Sequence, residues 1–177
     1  MLLISISFLI ILVSAPLCSA EPVVDNSTVC EFDLDRYMGK WYEVARFDNR
    51  YERNLREVTA EYTLNEGNQV SIINRGFNTQ DLEWQEAYGK GEPTDILGQL
   101  KVSFFLFFSS DYNVMHIGQD YEWALVGSKS NKYLWILSRT PSLPSDTLDH
   151  IIGLAQKRGY NVEELNILQN TDVAEIL

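Results

Sequence analysis

Residues 39–47 read GKWYEVARF, an aromatic and β-branched run that opens on a glycine. Such a composition fits the pleated, half-buried surface of a β-strand. Downstream, runs of the same kind recur between turn residues. Residues 58–64 (VTAEYTL) alternate small or apolar side chains with polar ones, and 70–74 (VSIIN) follow. Between them Asn65-Glu66-Gly67-Asn68 is a hairpin turn, with glycine available for positive φ. After a turn at 78–81 come 82–90 (LEWQEAYGK), a break at Pro93-Thr94-Asp95, and 100–105 (LKVSFF). Residues 112–117 (YNVMHI), 121–127 (YEWALVG) and 133–137 (YLWIL) complete the series, the last two separated by Ser128-Lys129-Ser130-Asn131. Eight strands at spacings of roughly 8 to 12 residues are the pattern of a sandwich or a barrel. The connections are short, so each strand should pair with the one before it. An all-β, antiparallel up-and-down barrel is favoured, because closure removes the exposed edges.

One helix follows. Pro144 stands at its start, where a missing N–H costs nothing. Ser145, Asp146 and Asp149 suit the positive end of the helix dipole. Leu148, Ile151, Ile152 and Ala155 make one apolar stripe, and Lys157-Arg158-Gly159 is a good stop. A helix with one apolar face packs outside the barrel rather than plugging it. A short last strand near 165–168 ends the fold.

On the N-terminal side, residues 1–20 contain no Asp, Glu, Lys or Arg. They are apolar from Leu2 to Val13 and then small at Ser14, Ala15, Ser19 and Ala20. This reads as an export signal, too short to cross a bilayer comfortably and without charged flanks. Two processing readings stand open. Cleavage after Ala20 gives a soluble exported protein. Alternatively Cys18 becomes a lipid-modified N-terminus and holds the protein at a membrane, although Leu17 stands where a bacterial lipobox wants a small residue. Residues 21–31 are polar with a proline and read as a tether. Residues 32–177 form one domain, long enough for a real core.

The chain has 14 basic and 25 acidic residues, a net charge of −11. No basic surplus exists to replace counterions, so nucleic acid is not a partner, and adhesion to anionic headgroups is disfavoured. Cys30 is the sole cysteine after the signal, so no intramolecular disulfide framework supports the fold. With no His near it in sequence, Cys30 reads as a small filler rather than a nucleophile. His116 and His150 are far apart and no cluster has ligand spacing, so neither metal nor cofactor is expected. There is no Gly-rich phosphate loop, G-x-S-x-G or C-x-x-C.

Three stretches carry a resemblance. Gly39-Lys40-Trp41-Tyr42 opens the first strand, Asp120-Tyr121 precedes Ala124-Leu125-Val126, and residues 133–141 (YLWILSRTP) end the last barrel strand before the helix. In this order and spacing they resemble the three signature motifs of the lipocalins. Phe32-Asp33, Arg36-Tyr37-Met38-Gly39, residues 41–48 (WYEVARFD) and 100–105 (LKVSFF) look like the bacterial outer-membrane lipocalins and their relatives of the apolipoprotein D type. The resemblance covers about residues 32–169. It implies an eight-stranded calyx, with Trp41 on the first strand meeting Arg139 on the last to seal one end. Gly39, Trp41, Asp120, Tyr121 and Arg139 are then structural. A guanidinium lying on an indole face contributes roughly 0.5–2 kcal/mol.

With the inner face chosen by this analogy, alternation gives a lining of Ala45, Ala60, Tyr62, Ile72, Asn74, Ala87, Leu100, Val102, Phe104, Tyr112, Val114, Val126, Tyr133 and Trp135. That is a mostly apolar cup, narrowed by aromatics and relieved by alanines, which suits an extended acyl chain. The resemblance implies a fatty acid or lysophospholipid, carried or stored for the cell envelope. It places the protein in the periplasm or at the outer membrane of a bacterium, or outside the cell otherwise. Another apolar cargo such as a haem, sterol or retinoid is the alternative, and an enzyme acting on a lipid is the rival of a different class. That rival has only Cys30, His116 and the tyrosines to work with.

Two segments stand apart. Residues 48–57 (DNRYERNLRE) follow the first strand, and the resemblance implies that they put Arg50, Arg53 and Arg56 at the open mouth. They are either a cationic rim for a carboxylate or phosphate headgroup, or a solvated loop paired with Asp48, Glu52 and Glu57. Residues 104–108 (FFLFF) exceed what alternation can bury. A homodimer interface, a lipid contact, or packing beneath the mouth loops would each account for them.

Overall fold

The computed structural model describes residues 23–105 and 108–168. The export signal, Cys18, the last nine positions and the side chains at 105–108 lie outside what is described. A single helical turn, α1 (Leu34–Tyr37), comes first, and the Asp33 carboxylate caps it by accepting from the Arg36 amide at 3.2 Å. Too short to show a period, it left no mark in the sequence pattern. Eight strands follow: β1 (Gly39–Phe47), β2 (Leu55–Leu64), β3 (Val70–Asn78), β4 (Glu83–Pro93), β5 (Gln99–Phe105), β6 (Phe108–Ile117), β7 (Trp123–Gly127) and β8 (Leu134–Ser138). Each pairs antiparallel with its predecessor, and β1 pairs with both β2 and β8, which closes the barrel. Then come α2 (Ser145–Lys157), a 3-10 turn (Val162–Glu164) and β9 (Leu165–Ile167).

The hairpin at 65–68 is built on left-handed backbone at Gly67 and Asn68, φ 82° and 65°. β2 begins three residues earlier than its alternation suggests. Its register shifts between Arg56 and Thr59, with Glu57 at φ 49°, and a bulge of this kind hides the period of two. β1 divides its partners. Gly39 to Tyr42 pair with β2, whereas Ala45 to Phe47 take β9 on that side.

Two apolar clusters result. The inner one, around Trp41, Ile72, Leu100, Val114 and Val126, fills the closed half of the barrel. The outer one joins Val44, Met115, Leu125 and Ile136 to Leu148, Ile151 and Ala155 of α2, so the helix covers the outside of the wall. Gly127 is required there, because a Cβ would lie 2.7 Å from the Tyr160 hydroxyl oxygen and 2.9 Å from Met115 Cε.

The segment read as a tether is fastened to the barrel from Asp25 onward. The Asp25 amide donates to the Arg158 carbonyl at 2.9 Å, and the Val29 amide to the Val114 carbonyl at 3.0 Å. The Arg158 guanidinium in turn donates to the carbonyls of Asp25 and Ser27. These bonds use the segment's backbone amides and carbonyls, which side-chain composition does not reveal.

Candidate ligand-binding cup

The closed end is sealed from the start of β1. Gly39 enters the strand at φ 88°, and Trp41, two residues on, is fully buried. Its indole Nε1 donates to the Tyr37 carbonyl at 2.8 Å. The Arg139 guanidinium lies 3.7 Å above its ring centroid. Arg139 also donates to the carbonyls of Arg36, Tyr37, Lys40 and Tyr121 at 2.7–3.2 Å. Tyr121, at φ 60°, accepts the Asp33 amide on its hydroxyl at 2.7 Å and carries Arg36 over its ring. Asp120 is exposed, its amide bonded to the Glu122 carboxylate.

Above this floor three tyrosines meet. The Tyr37 and Tyr112 hydroxyls are 2.6 Å apart, and Tyr62 donates to Tyr112 at 3.0 Å. Burial pushes all three phenols above the ordinary tyrosine range. Ile72, Leu100, Val102, Val114 and Val126 wall the same layer. Towards the mouth the wall thins to small residues. Ala60, Asn74 and Ala87 are in register across β2, β3 and β4. Ala87 is exposed, so solvent reaches the inner face of β4. Next along β4, Gly89 seats the Phe104 ring, which a Cβ would strike at 2.8 Å. Asn74 Oδ1 is buried with no hydrogen-bond partner. Trp135 reaches this layer from β8, and Tyr133 stacks on it at 5.8 Å.

Ala45 is corrected. It belongs to the outer cluster against the helix. The cause is a bulge in β1, whose register with β8 shifts between Glu43 and Ala45. Val44 and Ala45 therefore both face outward, and the next residue to point inward is Arg46, opposite Trp135. A second bulge, between Val114 and His116 on β6, turns His116 away from the cup in the same manner. His116 pairs with Leu125 of the outer cluster, and burial lowers its pKa.

The bulge in β1 brings in charges that the alternation count missed. Arg46 is fully buried and donates to Glu43 Oε1 at 2.5 Å. It also donates to the Leu55 carbonyl at 3.1 Å and to the Glu52 carbonyl. The Glu52 carboxylate accepts from Asn49 Nδ2 at 2.6 Å and from Trp135 Nε1 at 3.1 Å. Burial, with Glu52 nearby, pushes the Glu43 carboxyl up to about 8, against the pull of Arg46. Glu43 was visible by alternation, since it shares the face of Trp41. Arg46 was not, because only a bulge turns it inward. The three arginines singled out for the rim make other contacts. Arg53 pairs with Asp48 at 3.0 Å, Arg50 lies over the Tyr51 ring, and Arg56 sits opposite Phe77 on the barrel wall. A separate groove of ≈ 590 Å³, lined by Trp123, Arg139, Leu143, Pro144 and His150 among others, lies outside the barrel beside the start of α2.

The profile described as the lipocalin-like domain matches residues 32–170. The chain is a lipocalin. It is 40% identical over 162 residues to the outer membrane lipoprotein Blc of Escherichia coli K12, a match spanning 89% of this chain and 88% of that one. Apolipoprotein D of Macaca fascicularis is 29% identical over 169 residues, spanning 89% and 85%. Among solved lipocalin structures, insecticyanin of the tobacco hornworm Manduca sexta superposes with a TM-score of 0.68 at 17% identity, covering 84% of this chain and 86% of that one. At that identity the likeness speaks for the barrel alone. Membership supports the binding of a small hydrophobic ligand.

Proposed function

We propose that this lipocalin binds one fatty acid or lysophospholipid, with the acyl chain inside the barrel and the polar head at the mouth. The observation that carries the reading is the change of wall along the barrel. Below, the tyrosines, Trp41 and the Phe104 ring on Gly89 fill the lumen; above, Ala60 and Ala87 present only small side chains, under the buried Arg46–Glu43 pair. Each buried methylene of a chain gives about 0.8 kcal/mol of transfer free energy, part of which is lost in ordering the chain. The kinship with Blc, whose name describes an outer membrane lipoprotein, supports an exported protein serving the envelope, lipid-anchored through Cys18 or released after Ala20. Carriage rather than catalysis fits the interior. Cys30 is exposed on the segment before α1, His116 faces the helix side, and the tyrosines are held protonated. Phe104 on its glycine seat favours packing beneath the mouth for the start of the aromatic run.

Native mass spectrometry of the purified protein, followed by lipid extraction, tests the reading. One acyl lipid per chain is the expected result, and the same spectrum gives the N-terminal modification and distinguishes monomer from homodimer. A haem, sterol or retinoid in the extract would replace the acyl reading with another cargo. Recovery of nothing, with no displacement of a fluorescent acyl probe, would sink the cup as a binding site.

A further inference from the structure

Glu52 belongs to the loop between β1 and β2 and is half-buried, its carboxylate bonded to the protein. It is held by the Asn49 amide at 2.6 Å and the Trp135 indole at 3.1 Å, across 83 residues of sequence. The loop backbone beside it is held by Arg46, through the carbonyls of Glu52 and Leu55. Asn49 and Arg46 are both buried, and Arg46 Nε is buried with no partner at all. An amide, an indole N–H and a guanidinium with a spare N–H are thus gathered at the mouth of an apolar cup. Such a set of donors is a receptor for an anion, and the anion present is part of the protein.

Charge count argues that the site takes one guest at a time. Glu43 bonds Arg46 with a carboxyl that burial pushes up to about 8, so at neutral pH Glu52 is the negative charge beside the pair. A further anion drawn into this poorly solvated region would face repulsion from Glu52 unless Glu52 left. Glu52 can leave because it is carried by a loop, whereas Glu43 is fixed in a strand wall.

We propose that Glu52 is a built-in occupant of the headgroup site, and that an acidic lipid head, carboxylate or phosphate, displaces its carboxylate from Asn49 and Trp135 as the loop swings outward. The proposal rests on the acyl-lipid reading above. Loop opening and recognition of the acidic head are then one event. A neutral head on the same chain lacks the charge to compete and gains little when Glu52 is removed.

The test compares oleic acid with monoolein, which carry the same chain on an acidic and a neutral head. Wild type, Glu52→Ala and Glu52→Gln are titrated with each, following the indole N–H resonance of Trp135, assigned by its loss in Trp135→Phe. Oleic acid should move that resonance in wild type. Removing the competitor in Glu52→Ala should tighten oleic acid about fivefold or more, as the competent fraction of the site rises, and change monoolein little. Glu52→Gln, which keeps an acceptor without the charge and preserves the loop contacts, should shift in the same direction by less. Equal tightening for both lipids would reduce the loop to a steric cover and overturn the proposal, while leaving the acyl cup standing. Weaker oleic acid binding in both variants would also overturn it, because Glu52 would then be a support of the site. Wild type that binds neither lipid would remove the acyl reading itself, and this proposal with it.

Discussion

The two ends of the barrel each set an arginine against a tryptophan-bearing wall, half-exposed at the closed end and fully buried at the mouth, with opposite results. At the closed end Arg139 is stacked on Trp41 and gives its N–H groups to four backbone carbonyls. Carbonyls are fixed by the strands and turns that carry them, so every partner is rigid. At the mouth Arg46 is fully buried, holds a carboxylate and two loop carbonyls, and leaves Nε without a partner. Two of those partners lie in or beside a loop. One arginine therefore works as a rivet, and the other as a latch whose far side can move.

The comparison sharpens if the rivet matters most to stability. Trp41→Ala should cost about 3–5 kcal/mol, because it empties the volume of an indole in a packed layer and strips the stack from Arg139. Denaturant unfolding measures it. Arg46→Met should cost about 1–3 kcal/mol, since it removes the bonds to Glu43 and to the carbonyls of Glu52 and Leu55, while Glu43, pushed up to about 8, already holds its proton at neutral pH. A larger loss from Arg46→Met than from Trp41→Ala would reverse the assignment of rivet and latch.

The same contrast explains what the sequence made legible. The closed end obeys local rules. A glycine opens β1, Trp41 alternates inward, and Arg139 follows the last strand, so motif and period point to the same geometry. The strand series, the closing helix and β9 could be read for the same reason. The mouth breaks those rules through bulges. An extra residue in β1 sends Ala45 out and Arg46 in, and no glycine or proline marks the place. A bulge in β6 does the same to His116. Counting by twos fails after any bulge, so the error fell on the half of the cup where the polar chemistry lies. Glu52, on a loop with no period at all, was read only as a counter-ion for nearby arginines. Its bond to Trp135 depends on how the closed barrel brings β8 to the start of β2.

Glu43 tests the latch by pH. Its carboxyl is raised from 4.5 to about 8 by burial and by Glu52, with Arg46 opposing. Between those two values the native state holds a proton that the unfolded chain has released. The native state thus binds more protons, and stability must fall as pH rises through this window. At lower pH both states are protonated and the contribution is fully present. Thermal unfolding of wild type should lose Tm from about pH 5 to about pH 8 more steeply than Glu43→Gln, which cannot ionise. Parallel profiles would mean that Arg46 keeps Glu43 ionised throughout, and that the latch is a permanent ion pair.

The smallest effects are expected between the two ends, where the tyrosine hydroxyls form a chain of three. Tyr112 is its centre, bonded to Tyr37 at 2.6 Å and accepting from Tyr62 at 3.0 Å. Three hydroxyl protons serve two bonds, and since Tyr62 donates to Tyr112 the unspent O–H belongs to Tyr37 or Tyr112. Tyr62→Phe removes a terminal donor and leaves the other pair intact, at a cost of about 1 kcal/mol. Tyr112→Phe strands two hydroxyls in a buried layer and should cost about 1–2 kcal/mol. The order of the two, read from denaturant unfolding, is the informative quantity. If Tyr62→Phe were the more damaging, the floor would be organised from β2 rather than β6. If Tyr112→Phe is the more damaging, the floor is a closed network centred on Tyr112. It then belongs with the rigid end of the barrel, and the boundary between rivet and latch lies just above it, at the level of Ala60, Asn74 and Ala87.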